Sequence, residues 1–251
     1  MNLVVDIGNS RVKAAVFEKD TLLYKGVFLG DGEEFVDEVF ASHPDIRRCI
    51  LYSTRGDEAR IASALRCRSV ELVLFDHDVP VPIGNRYATP HTLGLDRLAA
   101  AVGAVKMFPG RDIFIVDLGS AITEDVVSAV EGYLGGNISP GVAMRLKALS
   151  AFTGKLPLID AAECDRYCRC GVPATTKDAM VAGVVEGIYM EIRGLMEIYG
   201  AEYPGLVTIF TGGDAPLFEK RFKNTIFANY DLVLTGLNTI LDYNADTENS
   251  L

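Results

Sequence analysis

Asp6-Ile7-Gly8-Asn9-Ser10 and Asp117-Leu118-Gly119-Ser120 carry the same pattern about 110 residues apart. Each follows a run of β-branched and aliphatic residues, Leu3–Val5 before the first and Ile113–Val116 before the second, which reads as a buried strand. The first stretch also runs on into a strand, Val12–Phe17, instead of opening a helix, which excludes a Walker loop and a dinucleotide fingerprint. Strand, Asp-x-Gly, polar residue, strand, used twice at a domain-length period, indicates a duplicated domain with a cleft between the copies, not a solenoid.

Working outward, further strands are expected at Cys49–Tyr52, Glu71–Phe75, Val207–Phe210 and Leu232–Leu234. Helical spacing appears between them. Val181, Val184, Val185, Ile188, Ile192 and Met196 recur at three- and four-residue steps, which predicts a helix from Asp178 to about Tyr199. An alanine-rich helix is expected over Leu93 to Lys106 and an amphipathic one over Val142 to Leu149. The alternation of strand and helix places the chain in the α/β class. Phe108-Pro109-Gly110-Arg111-Asp112 reads as a turn, so the expected lobes are residues 1–110 and 111–251, with Asn244–Leu251 a polar tail.

Composition narrows the function classes. The 251 residues are 49% hydrophobic and 23% charged, and no run approaches the roughly 20 apolar residues of a spanning helix, so a membrane role is not expected. A net charge of −10 repels phosphate backbones and argues against nucleic acid as a partner. The opening Met1–Asp6 places a carboxylate where a secretory leader is apolar, and five unevenly spread cysteines are not a disulfide framework. A reducing cytoplasm is the expected location. Cys164, Cys168 and Cys170 form a C-x3-C-x-C run, but the three histidines, His43, His77 and His91, are remote from it in sequence, so structural zinc is not expected.

Five segments could carry chemistry. In Asp6–Lys13 the glycine lets backbone approach a ligand, Asn9 and Ser10 offer neutral donors, and Lys13 offers charge, a set that suits phosphates. Asp6 itself makes sense there if a hard cation such as Mg2+ sits between carboxylate and phosphate, although a tight hairpin with local side-chain bonds explains the same residues. Asp117–Ser120 repeats this chemistry in the other lobe. Thr211-Gly212-Gly213-Asp214 follows a buried strand, the position where α/β sheets bind ligands. Tyr87-Ala-Thr-Pro-His-Thr-Leu-Gly94-Leu95-Asp96-Arg97 leads into the alanine-rich helix and offers a base for a hydroxyl and a clamp for an anion, or else a helix capped by Thr92 with a solvated acid–base pair. Gly135-Gly-Asn-Ile-Ser-Pro-Gly141 is too glycine-rich for a strand and is expected to be a loop at a helix start, able to hold an oxyanion or serving as a turn. No Ser-His-Asp or Cys-His constellation is present, and Thr175-Thr176 before Asp178 reads as a helix cap.

Taken in order, these segments resemble the motifs of type III pantothenate kinases: D-x-G-N-[ST], T-x-G-x-D-R, D-x-G-[TS], G-G-x-I-x-P-G and T-G-G-[DA]. The resemblance runs from Asp6 to Asp214 and implies duplicated ribonuclease-H-like lobes of the acetate and sugar kinase/actin superfamily. It implies ATP-dependent phosphorylation of pantothenate to 4'-phosphopantothenate, the first step of coenzyme A biosynthesis. By similarity, Asp6, Ile7, Gly8, Asn9, Ser10, Arg11, Val12, Lys13 and Ser120 would bind ATP, with Asp6 helping to hold Mg2+ directly or through water. Asp117 would bind a monovalent cation, K+ or NH4+. Tyr87, Gly94, Leu95, Asp96 and Arg97 would line the pantothenate site, with Asp96 the general base and Arg97 on the substrate carboxylate. Thr176 would complete that site from a neighbouring subunit, which implies a homodimer.

Two positions depart from the family pattern. Ser120 stands where the family usually has threonine, and Glu124 stands where it has an aromatic residue, placing a charge beside the second phosphate loop. The competing readings are a non-catalytic nucleotide-binding regulatory protein of the same fold and a kinase for another small hydroxylated acceptor. Against the first stands the intact Gly94-Leu95-Asp96-Arg97.

Overall fold

β1 (Asn2–Ile7) is buried along its whole length, as expected of a strand covered on both faces of its sheet. Around it, in a computed structural model describing residues 1–8, 11–29, 34–56, 58–167, 171–222 and 225–248, the first unit comprises residues 1–107 and the segment from 231 onward. β2 (Arg11–Glu18) and β3 (Thr21–Leu29) follow as antiparallel hairpin strands. Then come α1 (Glu34–Ser42), β4 (Arg48–Ser53), α2 (Ala59–Arg66), β5 (Glu71–Leu74) and α3 (Leu95–Met107). The sheet order is β3-β2-β1-β4-β5, with β4 and β5 parallel to β1. Leu3, Val5, Ile7, Val12, Ala14 and Val16 pack one sheet face against Phe35, Val36, Val39, Ile61 and Leu65 of α1 and α2.

The second unit, residues 108–230, uses the same plan. It contains β6 (Ile113–Leu118), β7 (Ala121–Ser128), β8 (Gly132–Pro140), α4 (Val142–Ala151), α5 (Thr176–Glu202), β9 (Val207–Thr211), α6 (Ala215–Glu219) and β10 (Phe227–Ala228). Its sheet order, β8-β7-β6-β9-β10, reproduces the first strand for strand, with an antiparallel hairpin on one side of β6 and parallel strands on the other. Phe114, Val116, Leu118 and Phe210 pack against Val184, Val185, Ile188 and Ile192 of α5. The expected duplication is thus present at the level of sheet order and strand direction.

Several readings of the sequence fail for identifiable reasons. Leu232–Leu234 is not a strand but the start of α7 (Leu232–Glu248), which also takes in part of the expected polar tail. The helical period shows only over a longer window, in buried Leu234, Leu237, Leu241 and Ala245. This helix belongs to the first unit and not, as a division at residue 110 would have it, to the second. Gly236 of α7 lies so close to α3 that a Cβ there would stand 1.8 Å from the Ala99 carbonyl oxygen. Asn2 Nδ2 donates to Asn238 Oδ1 (2.9 Å) and Asp242 Oδ1 (2.8 Å), and Arg48 pairs with Asp242 at 2.7 Å.

Gly135–Gly141 also differs: all but its last residue lie in β8. A register shift between Val126 and Val127 faces Gly135, whose φ of +143° a side chain would not tolerate, so the glycines accommodate a bulge instead of breaking the strand. Finally, Thr92 does not cap α3. Its hydroxyl donates to the Thr89 carbonyl within a single helical turn at Pro90–Thr92, and the helix begins at Leu95.

Candidate active site

In the first unit, register places the chemistry at the carboxyl end of β1. Asp6 pairs with Lys13 across the hairpin and with Tyr52 on the parallel strand. The turn is closed by a hydrogen bond from the Gly8 N–H to the Arg11 carbonyl (2.9 Å). The Ile7 carbonyl is held from the other side by the Thr54 N–H (2.9 Å) and hydroxyl (3.1 Å). Asn9 and Ser10 lie outside the described residues. Ile7 and Val12 are core residues, so they can contribute backbone but not side chain to a ligand.

Asp6 is 8% exposed, and burial raises its carboxyl above the usual range. Lys13, with Nζ 3.8 Å from Oδ2, opposes this shift, and the negative charge of Asp96 reinforces it. Burial also raises the Tyr52 phenol, Asp96 and Asp6 push it the same way, and a hydrogen bond with the Asp96 backbone lowers it. Asp6, Lys13, Tyr52 and Asp96 therefore form one electrostatically linked group.

Asp96 stands in the first turn of α3, where the helix dipole favours negative charge. Its Oδ1 accepts from the Arg97 N–H at 2.8 Å, and a Cβ on Gly94 would lie 2.6 Å from that oxygen. Glycine at 94 thus leaves room for the carboxylate. Arg97 is 6% exposed, with its guanidinium 6.0 Å from the centre of the Tyr87 ring. Tyr87, Gly94, Asp96 and Arg97 are brought together as the sequence led one to expect, and Leu95 is the first residue of the helix.

Asp6 and Asp96 are oxygen donors of the kind a hard divalent cation takes, and the partly compensated charge on Asp6 fits such an ion. Among the described residues no three His, Cys, Asp or Glu side chains converge on one point, so these residues suit an ion that keeps much of its water shell, as Mg2+ does.

In the second unit three glycine segments meet at one turn. The Gly119 N–H bonds the Ala121 carbonyl (3.1 Å), closing the hairpin after Asp117. Gly141, at the start of α4, donates to the Ser120 carbonyl (3.1 Å), and a Cβ on it would lie 2.2 Å from the Gly119 oxygen. Gly212 has φ +91°, and a Cβ there would lie 2.4 Å from the Leu118 oxygen and 2.5 Å from Asp117 Oδ1. The Asp214 N–H completes the clasp on the Leu118 carbonyl at 2.8 Å. Beside this clasp is a cleft of about 650 Å3 lined by Asp165, Tyr167, Gly213, Asp214, Leu217 and Lys220 among others. Only Gly213 and Asp214 of these were legible in the sequence, because the remaining wall comes from segments with no motif of their own.

Thr175 caps α5 by accepting from the Asp178 N–H (3.1 Å), and Thr176 is the first, exposed residue of that helix. Cys164 is buried, and burial pushes its thiol up to about 11; Cys168 and Cys170 lie outside the described residues.

A sheet of this order built twice, each copy with an aspartate and a glycine turn at the end of its first strand, defines an actin-like α/β fold. The chain superimposes on the activator of 2-hydroxyisocaproyl-CoA dehydratase from Clostridium difficile, solved with bound ADPNP (TM-score 0.60, 13% identity, 100% of this chain and 97% of that one). It also superimposes on the ROK hexokinase of Thermus thermophilus (TM-score 0.51, 15% identity, 97% and 99%). At such identities the likeness concerns the fold. The sequence pattern of type III pantothenate kinases matches residues 2–198, and the type III pantothenate kinase of Christiangramia forsetii is 41% identical over 245 residues, covering 97% of this chain and 99% of its own. The chain belongs to the type III pantothenate kinase family. Among the described residues no helix is long and apolar enough to cross a membrane.

Proposed function

We propose that this chain transfers the γ-phosphoryl group of ATP to the primary hydroxyl of pantothenate, giving 4'-phosphopantothenate and ADP. One observation carries the residue assignment: Asp96, Arg97 and Tyr87 are gathered beside Asp6 and Lys13 within a single unit. Asp96 accepts the hydroxyl proton as the oxygen attacks phosphorus. Arg97, whose guanidinium lies 6.0 Å from the centre of the Tyr87 ring, pairs with the substrate carboxylate, for which its planar fork is suited. Lys13 is the proposed cationic contact to phosphate oxygens, and in the second unit the Ser120 N–H and hydroxyl are the proposed neutral donors. Phosphoryl transfer depends on positioning and charge stabilisation, and these residues supply both.

Mg2+ held near Asp6 would supply the positive charge that the phosphates require. Asp117, beside Gly119 and Gly212, is the proposed ligand of a monovalent cation. The cleft next to Gly213 and Asp214 falls within the roughly 300–1,000 Å3 of small-molecule sites and is the proposed seat of the nucleoside. A homodimer is the proposed assembly, with Thr176 of one copy completing the pantothenate site of the other. Exposed Ile138, Met144, Met190 and Ile198 on β8, α4 and α5 offer apolar surface for that contact.

ADP release from ATP, measured with and without pantothenate, in potassium or sodium buffer, tests the reading. Release should require pantothenate, Mg2+ and Asp96, and should be faster in potassium. ADP release indifferent to pantothenate, or pantothenate-dependent release that survives Asp96→Asn undiminished, would overturn the corresponding assignment.

A further inference from the structure

Asp214 stands at the N-cap of α6, where an aspartate ordinarily accepts from an N–H of the first helical turn, yet its side chain makes no such bond. Nor does its carboxylate have a hydrogen-bond or ion-pair partner elsewhere among the described residues. The backbone of the same residue is fixed on both sides. Its N–H donates to the Leu118 carbonyl (2.8 Å), and its own carbonyl accepts from the Leu217 N–H (3.1 Å). A half-buried carboxylate is thus mounted on a rigid turn and left without a donor, which costs free energy. The pattern T-G-G-[DA] admits alanine at this position, so the turn itself does not require the acid.

The place of this carboxylate decides what it could bind. Asp214 holds the carbonyl of Leu118, one residue before Gly119 of the second glycine turn, and it also lines the 650 Å3 cleft beside that turn. A nucleotide with its phosphates at the turn and its base in the cleft presents its ribose at the junction of the two. The 2'- and 3'-hydroxyls of ribose are neutral, adjacent O–H donors, and a carboxylate offers them two acceptor oxygens. Asp165, from the helical turn Ala161–Arg166, lines the same cleft. Burial first, and then the negative charge of Asp165, raises the Asp214 carboxyl above its usual range. A phosphate here would add to that charge, whereas a diol adds none and supplies the missing donors. Arg221, also in the wall, is already engaged by Glu186 (2.8 and 2.9 Å), and Lys220 is exposed. Val185, Pro216 and Leu217 complete an apolar surface suited to the face of a base.

We propose that Asp214 is a specificity-determining residue of this chain, its carboxylate accepting from the 2'- and 3'-hydroxyls of the nucleotide ribose and so selecting ribonucleotides over deoxyribonucleotides. This rests on the reading that the cleft seats the nucleoside of ATP. Because the backbone of Asp214 is already fixed by Leu118 and Leu217, the acceptor needs no reorganisation when the nucleotide arrives.

The test measures KM and kcat with ATP, 2'-deoxyATP, 3'-deoxyATP and ITP for the unaltered full chain, Asp214→Ala and Asp214→Asn, together with the Tm of each protein and calorimetric titration of ADP and 2'-deoxyADP. In the unaltered chain KM should be about tenfold or more higher for either deoxynucleotide than for ATP, the loss expected of a hydrogen bond to a charged group, while ITP should match ATP. Asp214→Ala should raise KM for ATP to about the deoxynucleotide value, so that discrimination disappears, with Tm little changed because the backbone bonds of the turn remain. Asp214→Asn, which keeps one acceptor oxygen, should fall between, and it carries the comparison if the alanine variant fails to fold. Equal KM for ATP and the deoxynucleotides in the unaltered chain, or discrimination that survives Asp214→Ala, would overturn the proposal and leave the kinase reading intact. So would a changed preference between ATP and ITP, which would assign Asp214 to the base, or a raised Mg2+ requirement with the deoxynucleotide ratio intact, which would make it a cation ligand. Absence of pantothenate-dependent turnover in every protein would instead remove the kinase reading. Calorimetry would then decide on Asp214 alone: tighter binding of ADP than of 2'-deoxyADP, lost in Asp214→Ala, supports the proposal, and equal binding overturns it.

Discussion

The hairpin of β1 and β2 and the hairpin of β6 and β7 share a backbone plan and differ in chemistry. In both, the aspartate is followed by a buried residue whose carbonyl is held by an N–H from the loop after the parallel strand, Thr54 to Ile7 in one and Asp214 to Leu118 in the other. The partner across the hairpin diverges: Lys13 opposite Asp6, and neutral Thr123 opposite Asp117. One step further the first unit buries Ala14 and Ala15, while the second buries Glu124 and Asp125. Tyr133 donates to Asp125 at 2.7 Å, whereas Glu124 keeps one oxygen without a hydrogen-bond partner among the described residues. The two copies share what the backbone needs and differ in the rest: a cluster of ionisable side chains in the first, a glycine clasp in the second.

That division can be broken most sharply at Asp96. Asp96→Asn should lower kcat by about 10²–10⁴ while leaving ATP affinity near its original value, because the proposed base would serve the acceptor and not the nucleotide. Turnover by stopped assay and ATP titration together check it. Next in size is Gly141→Ala, which forces a methyl against the Gly119 carbonyl. Overpacking of this kind costs about 1–3 kcal/mol, which at roughly 2–4 °C per kcal/mol lowers Tm by several degrees, and KM for ATP should rise more than KM for pantothenate.

The buried acid gives a test with a definite sign. The Glu124 carboxyl is raised from 4.5 in the unfolded chain to about 7 in the folded one, so between those values the folded state binds the extra proton. Its contribution to stability is therefore greatest below 4.5 and is lost as pH rises to about 7. Glu124→Gln should raise Tm at pH near 8 by the equivalent of on the order of 1–2 kcal/mol and change it little in mild acid, as differential scanning calorimetry at several pH values would show. The smallest effect concerns the first hairpin. Lys13→Met removes the charge that opposes the upward shift of Asp6, so the acid limb of the kcat/KM profile should move to higher pH, with KM for ATP up by about tenfold or less.

How much of this was legible follows from what each feature demands locally. Asp-x-Gly after an apolar run is dictated by a tight turn at the end of a buried strand, so both turns could be read from sequence. The Gly94–Arg97 cluster was legible for the same reason, since glycine there leaves room for the Asp96 carboxylate. β3 was missed because its apolar residues do not alternate with polar ones as those of a half-buried strand do, and several stay exposed, Leu29 at 82%. β8 was misread because its glycines answer to a bulge and to Glu124 and Asp125 on the neighbouring strand, partners that are distant in sequence. The start of α7 looked like a strand because three aliphatic residues in a row cannot distinguish the two periods. Nothing local could reveal that Asp165, Tyr167 and Lys220 line one cleft.

The return of α7 to the first unit has a consequence for how the protein is made. On the ribosome β1 to α3 emerge first, yet the surface of α3 around Ala99 and Gly103 and the underside of β1 at Asn2 find their cover only after residues 108–230 have been synthesised. The second unit is contiguous and can close as soon as it is exposed; the first must wait. Nascent chains halted after β10 should therefore protect the second unit from protease while leaving the first open to cleavage. A circular permutant carrying α7 ahead of β1 should reverse that order.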